Sequence, residues 1–285
     1  MQLRTMTNAD VPAGMRLKEI AGWNQTAADW NRFLEASPEG CFVAGLDGAV
    51  RGTATTIRFE NRFAWVGMVL VDPEYRSRGI GTKLLERAIR HLDDLDVPTI
   101  KLDATPQGKP LYEKMGFVSE YEIERWILRR PSSGIMQAPG KHFSEPLSEA
   151  CWNSICHTDR EIFGADRGSL LKSLHENAPE LTTVIYKPGE LSGYAFGRRG
   201  SLADHLGPWA ATNENASRQL VETFLARSSR ETLIVDCLKS NATACNLLKS
   251  LGFTFSRPLT RMYRGSNDYP GRPEQLCAIL GPEFG

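Results

Sequence analysis

The sequence carries no surplus of either charge. Lys plus Arg number 34 and Asp plus Glu number 34, so the formal net charge is zero and no whole-protein attraction to nucleic acid or an anionic membrane follows. No run of like charges is long enough to read as a tail. No stretch reaches the ~18 apolar residues of a membrane span. The first ten residues are polar and hold both acid and base, without the apolar core of a secretion signal. The cysteines, Cys41 to Cys277, are scattered without one C-x-x-C pair, which argues against a disulfide framework or a zinc site. His142 and His157 lie near Cys151 and Cys156, but no metal-ligand spacing joins them. The expected setting is a cytoplasm with reduced thiols, and the expected partners include no nucleic acid, membrane or metal.

What is present reads as a soluble globular chain. Hydrophobic residues make up 41% and charged residues 24%, which places it outside the disordered class. At 285 residues it is long enough for two domains.

One pattern occurs twice. Residues 41–44, Asp47-Gly48 and residues 50–57 predict a strand, a tight turn and a strand. Residues 182–186, Pro188-Gly189 and residues 191–196 predict the same, with Gly52 and Gly193 at matching points. Residues 65–71 predict a strand, followed by a helix from about Gly79 whose Leu84, Leu85, Ala88, Ile89 and Leu92 share one face. Residues 206–211 and a helix bearing Leu220, Val221, Phe224 and Leu225 match them, and Gly207 matches Gly67. Short strands follow at 99–104 and 232–237, each with an acid, Asp103 or Asp236. Short helices at 111–117 and 247–253 each end on a glycine, Gly116 or Gly252, where a left-handed backbone is least costly. A strand pair is expected to close each copy. Four elements repeating at an offset of about 140 residues mark a duplication. It predicts a domain at 1–130, a Pro- and Gly-containing linker at 131–146 and a second domain at 147–285, whose tail wraps a domain surface.

The first copy holds the chemical signal. From Val69 the chain reads Val-Leu-Val-Asp-Pro-Glu-Tyr-Arg-Ser-Arg-Gly-Ile-Gly-Thr-Lys, a strand turning into a helix that opens on glycines. Free N–H groups at a helix N-terminus attract phosphate, and glycines let the backbone approach it. Arg76 and Arg78 add positive charge. A Walker loop is excluded because the helix opens Gly81-Thr82-Lys83, and a dinucleotide fingerprint because position 84 is Leu. An isolated G-x-G would be only a flexible strand-to-helix turn.

Arg76-x-x-Gly79-x-Gly81 after Asp-Pro-Glu-Tyr resembles the pyrophosphate motif of the GNAT acetyltransferase superfamily. So does Leu111-Tyr112-Glu113-Lys114-Met115-Gly116-Phe117 downstream. The resemblance covers residues 1 to about 130 and, in degraded form, 147 to about 264. It implies an α/β protein of two tandem GNAT-like domains, each a mixed, mostly antiparallel sheet flanked by helices. It also implies transfer of an acetyl group from acetyl-CoA to the amine of a small molecule or peptide, by a monomer or homodimer. The alternative is a non-catalytic acyl-CoA-binding regulator.

Site roles follow from the same resemblance. The backbone of Val69, Leu70 and Val71 would hydrogen-bond the pantetheine arm, on a strand bulged away from its neighbour. Arg76, Ser77, Arg78, Gly79, Ile80, Gly81 and Thr82 would surround the pyrophosphate. Tyr112 stands where the family places a general acid, able to protonate a departing thiolate; otherwise it is a core aromatic with its hydroxyl at the edge. A strand N–H near Val69 would serve the oxyanion. Asp103 alternates away from Ile100 and Leu102 and is the candidate base, or else a cap on the following loop. Thr105 stands where the family often has an Asn that grips the cofactor. Trp23 and Asn24 would border the acceptor, with Trp30 as lining or core. Thr26 and Asp29 form a candidate capping box there.

The second copy lacks these parts. Its loop after Ala211 has no G-x-G, and Leu248 replaces the tyrosine, although Asn241 stands at the family's Asn position. It is expected to be structural or substrate-shaping, with Arg167 as a candidate for recognising an acid.

Overall fold

The computed structural model describes residues 1–131, 147–187 and 190–285. Except for Pro131, the predicted linker lies outside the described residues, as do His142 and the Pro188-Gly189 turn. The chain forms two compact units. Unit 1 contains Met1–Ser119, Met262–Asp268 and Phe284. Unit 2 contains Glu120–Arg261, Tyr269–Glu283 and Gly285.

Unit 1 runs β1 (Gln2–Thr5), α1 (Val11–Ile20), α2 (Ala27–Ala36), β2 (Phe42–Leu46), β3 (Ala49–Phe59), β4 (Phe63–Val71), α3 (Ile80–Asp93), β5 (Thr99–Ala104) and α4 (Lys109–Lys114). The strands lie in chain order, antiparallel as far as β4 and parallel between β4 and β5. Asp47 and Gly48 both have positive φ, 55° and 74°, the conformation an Asp-Gly hairpin turn of type I′ requires. Thr26 and Asp29 form the expected capping box at the start of α2, with the Thr26 N–H donating to Asp29 Oδ2 at 2.8 Å. Ile80, Leu84, Leu85, Ala88, Ile89 and Leu92 of α3 are buried against Ala54, Ala64, Val66, Ile100 and Leu102 of the sheet. Full burial of such side chains contributes ~1.5–3 kcal/mol each, so this face fixes how α3 sits on the sheet.

Unit 2 contains most of β6 (Val118–Arg129), then α5 (Glu149–Phe163), α6 (Gly168–Asn177), β7 (Thr183–Lys187), β8 (Glu190–Arg199), β9 (Asp204–Ala211), α7 (Glu214–Arg227), β10 (Thr232–Leu238), α8 (Ala242–Ser250), the first part of β11 (Thr254–Gly265) and β12 (Leu276–Ala278). Its core joins Leu220, Val221 and Phe224 of α7 to Leu206, Trp209, Leu233 and Val235. The expected apolar face of this helix is therefore the one that packs.

The compact units cut across the sequence repeats. Each repeat ends in one long strand, β6 or β11, instead of the strand pair expected. No turn interrupts either twelve-residue strand. The missing partner comes from elsewhere in the chain. In unit 2, β6 pairs antiparallel with β10, from Thr232 opposite Arg129 to Leu238 opposite Ile123. Unit 1 takes up the end of β11 beside β5, with Met262 buried in its core.

Candidate active site

A bulge opens unit 1. On the β3–β4 ladder Thr55 faces Gly67 and Thr53 faces Leu70, so Met68 and Val69 stand opposite the single residue Ala54. Met68 takes φ 50°, an unusual conformation for a non-glycine residue that costs roughly 1–2 kcal/mol. Its carbonyl accepts from Thr53 Oγ1 at 2.8 Å and its side chain is buried, which holds the bulge in place. On the other edge, β4 pairs with β5 only through Ala64–Ile100 and Trp65–Lys101. β4 continues to Val71, so the two parallel strands part just before the bulge. The backbone of Val69, Leu70 and Val71 lies in that opening.

The strand then enters a braced turn. Asp72 Oδ1 accepts from the Glu74 N–H at 3.3 Å, and Asp72 Oδ2 accepts from Arg16 and Arg51, each at 3.1 Å. Burial opposes ionisation of Asp72, but these guanidinium bonds outweigh it and its pKa lies below the ordinary value. Arg51 and Arg78 both sit over the Tyr75 ring, 4.3 and 4.9 Å from its centroid. Arg76 Nε donates to the Val71 carbonyl at 3.3 Å. No signal near Asp72 in the sequence announced Arg16 or Arg51, because both reach it from distant elements.

The turn delivers an open helix end. Ser77 and Gly79 have positive φ, 59° and 75°. Gly79 is the N-cap of α3 and contributes no side-chain cap. Residues 76–79 are exposed, Ile80 is buried and Gly81 and Thr82 are half-buried. A Cβ on Gly79 would point into open space, and one on Gly81 would come no closer than 3.4 Å, to Val71. The first-turn amides of such a helix have no intrahelical partner. The arrangement fits a pyrophosphate: exposed donors, two nearby arginines and no β-carbon on either glycine to stand in the way. α7 of unit 2 is closed by contrast. Its N-cap Asn213 accepts from the Ala216 N–H at 3.0 Å, so its own side chain serves the helix end.

Tyr112 lies half-buried on α4 against the core of unit 1, edge-on to Phe117 with ring centroids 6.1 Å apart. Burial pushes its phenol up to about 12, which keeps the proton on at neutral pH. Thr105 Oγ1 accepts from the Gly108 N–H at 3.2 Å and so fixes the turn into α4. Ile100, Leu102 and Ala104 enter the core, and the alternation of β5 turns half-buried Asp103 to the opposite face. Trp23 is half-buried and Asn24 buried in the α1–α2 connection. Trp30 is fully buried with its ring against Gly14, which assigns it to the core.

In unit 2, Leu248 at the tyrosine position is fully buried. Arg167 is committed inside the unit. It donates to Asp159 through Nε and Nη2, at 2.8 and 3.0 Å, and to the Gly285 carbonyl at 2.7 Å. It is therefore engaged by the chain itself rather than turned toward a ligand. Among the described residues, no three His, Cys, Asp or Glu side chains are grouped to hold a metal ion. Among them, too, no helix is long and apolar enough to cross a membrane.

Comparison with known proteins places this geometry. The chain is 26% identical over 266 residues to a holothin acyltransferase of Pseudoalteromonas sp. (strain SANK 73390), covering 92% of this chain and 87% of that one. It is 26% identical over 194 residues to the uncharacterized N-acetyltransferase YitH of Bacillus subtilis (strain 168), covering 67% and 66%. In fold it is similar to a putative acetyltransferase of Pyrococcus horikoshii, with a TM-score of 0.79, 24% identity and coverage of 100% and 95%. A GCN5-related N-acetyltransferase of Sphaerobacter thermophilus gives a TM-score of 0.66 at 18% identity, with coverage of 93% and 95%. The model of the acetyltransferase (GNAT) family matches residues 12–117, and that of an acetyltransferase (GNAT) domain matches residues 155–278. With one match in each half, the chain belongs to the GNAT acetyltransferase family and carries two GNAT domains in tandem.

Proposed function

We propose that unit 1 transfers an acetyl group from acetyl-CoA to the amine of an acceptor molecule. The observation that carries this reading is the parting of β4 from β5 at the Met68 bulge, directly ahead of the uncapped N-terminus of α3. Acetyl-CoA supplies the activated acetyl group when bound. The backbone of Val69, Leu70 and Val71 holds its arm, and the Val69 N–H is the donor for the developing oxyanion. The amides of Ser77, Arg78, Gly79, Ile80, Gly81 and Thr82, with the charge of Arg76 and Arg78, hold the pyrophosphate. Thr105 holds the turn into α4 in place. Tyr112 donates its hydroxyl proton to the departing sulfur. Asp103 takes a proton from the acceptor ammonium before attack. Trp23 and Asn24 border the acceptor. Burial keeps the Tyr112 phenol protonated at neutral pH, so its hydroxyl proton is in place when the thiolate departs. Leu248, which replaces it in unit 2, has no proton to give, and Asn213 fills the helix end there.

The acceptor screen begins from the relatives. One that covers 92% of this chain is named for acyl transfer to holothin, while those named as N-alpha-acetyltransferases match only about a third of it. The test is release of coenzyme A from acetyl-CoA with holothin, amines, amino acids and short peptides, beside calorimetry with coenzyme A. The expected result is turnover with an amine and one coenzyme A site per chain. Binding without turnover on any amine would leave an acyl-CoA-binding regulator, and two equivalent sites would contradict the closed state of unit 2.

A further inference from the structure

Unit 2 repeats the cleft of unit 1 and then fills it. On the β8–β9 ladder Ala195 faces Trp209 and Gly197 faces Leu206, so Gly207 and Pro208 stand opposite the single residue Phe196. This is the bulge of β4 again. β9 and β10 pair in parallel from Asp204–Leu233 to Leu206–Val235, where the ladder stops. Beyond that point β12 lies between them, antiparallel to both: Leu276 faces Ala210, and Ala278 faces Trp209 and Cys237.

The seat is fitted to this strand. The Ile279 N–H donates to the Asp236 carbonyl at 3.0 Å. Asn241 donates from Nδ2 to the Leu276 carbonyl at 3.3 Å, while its Oδ1 caps α8. A Cβ on Gly207 would stand 1.9 Å from the Ile279 carbonyl oxygen, so the glycine is needed for the tail to pass. Leu276, Cys277 and Ala278 are buried. Further on, Arg198 donates to the Glu283 carboxylate, and Arg167 to the Gly285 carbonyl.

We propose that residues 276–278 are the resident occupant of a second cofactor-type groove. The chain's own strand takes the place that an amide-bearing pantetheine arm takes in unit 1. A peptide strand offers N–H and C=O groups to a parted β-edge as that arm does, so the same edge accepts either. The proposal rests on the reading of the unit 1 cleft as the acetyl-CoA groove. Unit 2 is therefore closed by occupation as well as by loss of its glycines.

Hydrogen exchange on the full-length chain tests this. The amides of 276–279 exchange at least ~10³-fold more slowly than those of the mostly exposed segment 266–271, because opening them requires unit 2 to open. In the Ala278→Asp chain, protection is lost at 276–279 and at 209–211, while acetyl-CoA affinity stays within about twofold. Pantetheine at millimolar concentration then restores protection at 209–211 in the variant and changes nothing there in the wild type. Fast exchange of 276–279 in the wild type overturns the proposal, even if the variant does not fold. Failure of pantetheine to restore protection in a folded variant also overturns it. Absence of acetyl-CoA binding by the wild type would instead overturn the reading of unit 1, and would leave the exchange pattern of the tail intact.

Discussion

Tyr112→Phe isolates the proton from the packing. The ring sits half-buried against the core of unit 1, with Phe117 6.1 Å away and a would-be Cβ on Gly108 only 2.9 Å from its edge. Phenylalanine keeps that ring and removes only the hydroxyl, so folding stability should change by no more than ~1 kcal/mol. Loss of a general acid costs roughly 10²–10⁴ in turnover, or about 3–5 kcal/mol of barrier. The wild-type phenol, pushed up to about 12, is ionised to only about 10⁻⁵ at pH 7, so it can donate throughout a neutral assay. Steady-state kinetics should show kcat reduced by at least ~10²-fold with coenzyme A affinity within about twofold. The pH dependence of folding gives a second check. The folded pKa is raised above the ordinary 10, so its contribution to stability is complete below pH 10 and is lost as pH rises toward 12. Tyr112→Phe should remove that alkaline loss. An unchanged kcat would take Tyr112 out of the chemistry, and a parallel fall in coenzyme A affinity would make it a binding residue.

Gly81→Val should weaken acetyl-CoA binding by ~10-fold or more, while the ligand-free melting temperature shifts by a few degrees at most, since a Cβ there has room beside Val71; calorimetry giving wild-type affinity would remove the α3 N-terminus from the site. Asp103→Asn should lower kcat/KM for the amine by about 10²-fold and leave coenzyme A affinity unchanged, with an unaltered rate pointing to water as the base. Asp236→Asn should destabilise unit 2 by about 3–5 kcal/mol in denaturant unfolding, because Arg125 binds both carboxylate oxygens at 2.8 Å and would be left buried without its counter-charge. Acetyl-CoA binding should persist while that variant stays folded, because Asp236 and Arg125 both belong to unit 2; its loss in the folded variant would refute the placement of the cofactor site in unit 1.

Short-range patterns made much of this protein legible in the sequence. The apolar face of α3, the Asp-Gly turn, the Thr26–Asp29 capping box and the glycines ending α4 and α8 each depend on residues a few positions apart. Local sterics and local hydrogen bonds decide them, so spacing alone reveals them. The duplication was legible for the same reason, as one run of local signals occurring twice. The glycine loop after β4 was legible because a strand, a turn and a helix start must be adjacent in the chain to form it. Arg167 was misread because its partners, Asp159 and the Gly285 carbonyl, meet it only in the fold.

Tertiary structure decided the rest. Nothing in residues 118–129 announces that β6 will pair with β10, more than a hundred positions away, because an unpaired strand edge specifies hydrogen bonds but not their source. The Asp72 clamp likewise needs Arg16 and Arg51 from other elements, and its charge balance exists only once they are brought together. The positive φ of Met68 has no local cause in its side chain; it follows from one surplus residue in the β3–β4 ladder. The fate of the second cleft was decided in the same way. Its lost glycines could be read directly, but its occupation by Leu276–Ala278 depends on a strand edge, a glycine without a β-carbon and a tail long enough to return to them.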